Sequence, residues 1–143
     1  MLFKRISRSD AETVFIVVQN VSGSTITQGY GCVFDVSASV DGVRVTKAQA
    51  ADMQAFAGVA DADIASAAYG LVQVYGYRSA ASIYSSTGSS AAGDNLVVVA
   101  AQWGLTPATS VGTSKAFGFL CEAVSASSSS QYNTKAGAFI RAL

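Results

Sequence analysis

The chain has 143 residues, 50% hydrophobic and 13% charged, with nine Lys plus Arg against nine Asp plus Glu and no histidine. That length suits one domain with a sizeable core, and the neutral balance argues against a nucleic-acid binder, which needs a basic excess or stripe to meet phosphates. Soluble domains carry about a quarter charged residues, and a net charge near zero favours association, so the composition points to life inside an assembly.

Residues 1–13 lack hydrophobic periodicity and read as an extended N-terminal arm, leaving residues 14–143 as a single β-rich domain. In the arm, Lys4, Arg5 and Arg8 form a basic cluster that Asp10 and Glu12 answer at once. No continuous apolar stretch follows these charges, so the start does not read as a secretory signal and synthesis in the cytoplasm of the producing cell is expected. The longest apolar run, residues 96–101, falls far short of the roughly 20 residues of a spanning helix, so no membrane partner is expected.

The segment VFIVVQN predicts a first strand over residues 14–20, ending at the turn-rich VSGST. The alternating CVFDVSASV predicts a second strand around residues 30–37, and Asp41-Gly42 predicts a tight hairpin turn into VRVT. Thr46 and Gln49 have the capping-box spacing, AQAADMQAF supplies helix formers and Gly58 supplies a stop, which together predict one short helix over one end of the sheet. Beyond Gly58, alternation places Leu71, Gln73 and Tyr75 on one strand face and Val72 and Val74 on the other. A short strand is expected over residues 81–84 and the strongest one over residues 95–102. Further strands are expected over 116–124 and 138–143, with SASSSSQYNTKAG between them as a turn or loop. Many strands and one helix predict a mainly β fold, a compact antiparallel barrel or sandwich; crossover helices for a parallel α/β sheet are missing.

Without histidine, neither serine–histidine nor cysteine–histidine catalysis can be assembled. Ser114-Lys115 could form a dyad only if two strand neighbours shared a face, and Asp61 and Asp63 sit where turn aspartates cap their own backbone. Gly29-Tyr30-Gly31 lacks the third glycine and following helix of a dinucleotide site. Cys32 and Cys121 lie in apolar runs and read as buried reduced thiols, too distant and too few to hold zinc. No catalytic residue, cofactor or metal is therefore expected. The aromatics Tyr69, Tyr75, Tyr77, Tyr84 and Trp103 cluster mid-chain; each alone reads best as core or rim, but as a group on a weakly charged chain they favour a protein contact.

The pieces Phe56-Ala57-Gly58-Val59-Ala60, Ile64, Tyr69 through Gly76 and Gly93-Asp94 form a pattern of turns and strands that resembles small head proteins of tailed bacteriophages, the capsid decoration (cement) proteins. The resemblance spans residues 56–102 and implies a compact β-rich, β-tulip-like domain without catalytic residues. It further implies a virion protein on the capsid surface, a homotrimer bound to the major capsid protein, with an N-terminal arm engaging the shell. Expected contact residues are Phe3, Lys4, Arg5 and Arg8 of the arm and Tyr75, Tyr77 and Trp103 of the domain. Other readings are a small carbohydrate- or ligand-binding module and a fibre or tube subunit of a virion. The chain lacks the proline-rich arm of the commoner decoration proteins.

Overall fold

Alternation and β-branching carry most of this chain into strands. The computed structural model describes residues 12–37, 41–51, 53–85, 88–108, 115–125 and 132–142, and among them nine strands and no helix occur. They are β1 (Val14–Asn20), β2 (Gly31–Phe34), β3 (Arg44–Thr46), β4 (Phe56–Ala60), β5 (Tyr69–Ser85), β6 (Asn95–Val97), β7 (Thr106–Pro107), β8 (Gly118–Leu120) and β9 (Tyr132–Arg141). The arm residues Phe3, Lys4, Arg5 and Arg8, and also Ser114, lie outside the described residues.

The strand order is β1-β3-β2-β4-β5-β9-β8-β6-β7, and β1 also pairs with β5. The first five members thus close a circuit. At the other end Leu105, next to β7, bridges Ile83 of β5. Both ends of the order therefore return to the same 17-residue strand. The mainly β, sandwich-like class is as the alternation predicts, and every strand–strand pairing is antiparallel except β1 with β3.

Two apolar clusters fill the two circuits. One contains Val18, Ile26, Cys32, Val45, Ile64, Val72 and Val74. The other contains Val33, Phe56, Val59, Ile83, Leu96, Leu105, Leu120 and Ile140. Adjacent residues of β2 and β4 enter different clusters: Cys32 one and Val33 the other, Ala57 one and Phe56 the other. Strands buried on both faces read as unbroken apolar runs, which is what GCVF and FAGVA are. β5 serves both clusters by bending. Val72 and Val74 face one before Gly76; Ala81 and Ile83 face the other after a register shift between Arg78 and Ala81.

β2 and β3 pair as the expected hairpin, Val33 and Phe34 with Thr46 and Val45, but the strands stop at Phe34 and Arg44, so the link is longer than a tight two-residue turn; in it Asp41 accepts from the Val43 and Arg44 amides. The short helix does not form. Thr46 ends β3 against Val33, Ala50, Ala51, Met53 and Gln54 lie in turns, and Gly58 lies inside β4 with φ 146°. Local helix propensity is a weak force, and the wholly buried pairing of FAGVA between β2 and β5 overrides it. The strand expected over 95–102 ends at Val97, because a turn closes from the Val99 carbonyl to the Gln102 amide. The expected strand at 81–84 is the end of continuous β5, since Gly76 adopts φ 103° and bends the strand without ending it. β9 begins at Tyr132, inside the tract read as a loop, because pairing to β5 extends from Arg141 back to Tyr132.

Gly58 tests this architecture. A side chain there would begin 2.5 Å from the Gln73 carbonyl oxygen, at a positive φ. Gly88, also at positive φ, has nothing within 4 Å. Gly88→Ala is expected to cost about 1 kcal/mol of strain and Gly58→Ala roughly 3 kcal/mol or more, read from urea unfolding.

Candidate interaction surface

The outward face of the sheet is built by β1, β5, β9 and β8. Register sets Val17 against Leu71, Tyr77 against Phe139 and Phe119 against Phe139. Side chains in such pairs meet across strands. The result is an apolar band through Phe15 and Val17, Tyr69 and Leu71, Tyr75 and Tyr77, Phe139 and Phe119. Most of it is open: Val17 is 59% exposed, Tyr69 65%, Leu71 44% and Tyr77 46%. An exposed apolar band on a neutral protein is a candidate contact site.

Its aromatic end is ordered. The Phe119 and Phe139 rings stack at 5.2 Å with 10° between planes, and Tyr75 meets Phe139 at 5.2 Å and 85°. The stacking distance is close to the strand spacing, so the rings stand side by side and cover each other's facing sides. A sugar platform needs an open ring face, whereas this arrangement offers ring edges suited to packing against protein.

Tyr77 lies over Gly137, its hydroxyl 2.9 Å from where a side chain would begin, so glycine makes room for the ring. Glu122 covers the same glycine and accepts its amide hydrogen at 2.5 Å. Gln73 shares the outward parity but is only 2% exposed. Its amide turns along its own strand and donates to the Tyr75 carbonyl at 3.2 Å and the Tyr77 carbonyl at 3.1 Å.

Of the residues expected at a contact, Tyr75 and Tyr77 are brought together on this band. Trp103 lies elsewhere. It stacks on Tyr30 at 5.5 Å, takes Lys47 Nζ at 5.9 Å over its ring, and packs half-buried against the first-circuit cluster. Sequence reading set Leu71 on the Tyr75 face without giving it to a contact, and missed Phe15, Val17, Phe119 and Phe139. Only the register, which sets four distant segments side by side, reveals these four.

Asp61 and Asp63 have structural partners. Asp61 Oδ1 is 2.6 Å from Arg78 Nη1, and the other Arg78 nitrogen donates to the Ala60 and Asp61 carbonyls. Asp63 accepts from the Gln28 amide at 2.7 Å. An open cleft lined by Asp35, Ser37, Thr46 and Gln49 lies apart from the band. Asp35 is occupied there by the Ser37 hydroxyl and amide, which hold its carboxyl below its ordinary range.

The two thiols differ. Cys32 is buried, and burial pushes its thiol up to about 12. Cys121, expected to be buried, is exposed: it follows β8 with the outward parity of Phe119, its amide still bonded to the Gly137 carbonyl.

No family model matches the chain, and no curated protein matches it. Its structure is similar to the crystal structure of the head fiber gp8.5 N base of bacteriophage phi29, with a TM-score of 0.48 and 14% identity over 87% of this chain and 94% of that one.

Two experiments follow from this geometry. In native protein a maleimide is expected to label Cys121 and spare Cys32, which reacts only on unfolding. Because the folded state keeps a Cys32 proton that the unfolded chain releases, that stability is present below pH 9 and falls as pH rises toward about 12; Cys32→Ala removes this dependence. By circular dichroism, Trp103→Ala is expected to lose roughly 2–4 kcal/mol of stability, while Tyr77→Ser changes it by about 1 kcal/mol or less.

Proposed function

We propose that the protein is a structural component of a bacteriophage virion that binds the outer surface of the icosahedral head and stabilises it by bridging capsid subunits. The carrying observation is the exposed apolar band on a chain with zero net charge. Such a surface is costly to leave in water and gains by covering. The resemblance of residues 56–102 to phage head proteins supplies the partner class, with the major capsid protein as the partner. A protein that binds only the assembled, expanded shell stabilises that state by mass action. Weak contacts repeated by an oligomer on a lattice become strong together. The basic arm, through Phe3, Lys4, Arg5 and Arg8, is the second contact in this proposal and adds extended-chain pairing to the shell. Catalysis, cofactors, nucleic acid and membrane have no part in it.

The test is co-sedimentation with expanded, undecorated heads of the encoding phage. Saturable binding at a fixed ratio to the capsid subunit is expected. Val17→Asp with Leu71→Asp should weaken it by about tenfold or more, and removal of residues 1–13 should weaken it separately. Absence of binding at every concentration overturns the proposal and favours a fibre subunit or a ligand-binding module.

A further inference from the structure

Tyr77, Phe139 and Phe119 form a transverse row across β5, β9 and β8. Charge flanks this row on both sides along β9. Two residues beyond Phe139 toward the C-terminus stands Arg141, exposed and in register with Tyr75. Two residues the other way is Gly137, and the exposed carboxylate of Glu122 sits over it. The positive and negative groups are thus offset from the aromatic row by similar distances, about 7 Å each at the rise of a strand. Other charges near this end are differently placed. Lys135 Nζ is turned to the Gln28 carbonyl at 2.9 Å, and Glu12 lies beside Gly76, on the β1 side of β5.

From this arrangement we infer that the aromatic end of the band is a self-complementary face that receives a second copy of this chain about a two-fold axis running along the Tyr77–Phe139–Phe119 row. Rotation about that axis reverses the strand direction. It sets the rings of the two copies against each other and brings each Arg141 to the other copy's Glu122. An isologous interface requires this property, a patch whose charges exchange under the two-fold operation. The inference rests on the reading of the band as a contact surface and assigns its two ends. The aromatic end joins copies, and Phe15, Val17, Tyr69 and Leu71 at the β1 end remain for the head. A dimer then presents two such ends, which supplies the multivalency that lattice binding uses.

The test is sedimentation velocity of the full chain over a concentration series, alongside the head-binding assay. A monomer–dimer equilibrium is expected. Arg141→Glu and Glu122→Arg each place two like-charge contacts in the interface and should raise the dimer Kd by about tenfold, and the double exchange should return it to within about threefold of the natural chain. Phe119→Lys, at an exposed position that leaves the Glu122–Gly137 bond intact, should abolish the dimer while the far-UV circular dichroism spectrum of the folded chain stays unchanged. A monomer at every concentration, a trimer, or failure of the double exchange to recover what both single changes lose overturns the inference. Head binding by a strictly monomeric chain would sink the dimer and keep the proposed function. A dimer that ignores heads would do the reverse.

Discussion

The structure depends on one strand being shared. β5 runs 17 residues and closes both circuits of strands, with β1 and β4 along its first half and β9 along its second. A strand that long cannot serve two cores while straight, so it must bend, and two devices make the bend. Gly76 adopts φ 103° where the Thr13 backbone crosses close by. The Arg78 side chain, only 10% exposed, then clamps the strand to the end of β4 through Asp61 and two carbonyls. Burial of a guanidinium is costly unless its charge and donors are met, and here Asp61 and two carbonyls take three of its five N–H groups. The Gln73 amide satisfies carbonyls in the same bent stretch.

The motif that carries the resemblance to phage head proteins is, in physical terms, the packing code of this junction. Gly58 lets β4 approach the Gln73 backbone, and Ile64 fills the space that a side chain at Gly70 would take, 2.5 Å from where it would begin. Gly93 ends a turn whose amide reaches the Leu120 carbonyl. None of these residues is a reactive group. The pattern therefore speaks of a fold, and the exposed apolar band is written separately, in the alternate residues of β1, β5, β8 and β9.

That division explains what was legible in the chain. Strand alternation is local, so β1, the pairing of β2 with β3 and the two faces of residues 71–75 could be read directly. The missing helix was not readable, because Ala-rich propensity over residues 47–55 competes with the burial of FAGVA, a term set by strands far away in sequence. The exposure of Cys121 and the withdrawal of Trp103 from the band follow the same rule. Each sits in an apolar or aromatic context, and only the ladder decides which side of the sheet it meets. Tyr75 and Tyr77 were found by composition, but their companions Phe119 and Phe139 lie about forty to sixty residues away, joined by register alone.

The same topology bears on how such a protein can associate. Sheets commonly aggregate through free edges, where unpaired amides and carbonyls await another strand. Here both ends of the strand order fold back onto β5, and the outermost member is two residues long and ends in Pro107, which has no amide hydrogen to donate. Edge addition is thus poorly supported by the named strands, while the outward face keeps aromatic and aliphatic side chains in the open. With zero net charge there is little long-range repulsion between copies or toward a partner. What the face offers a partner is side chains rather than backbone. A face read by side chains can be specific in a way that an open edge, which accepts any strand, cannot.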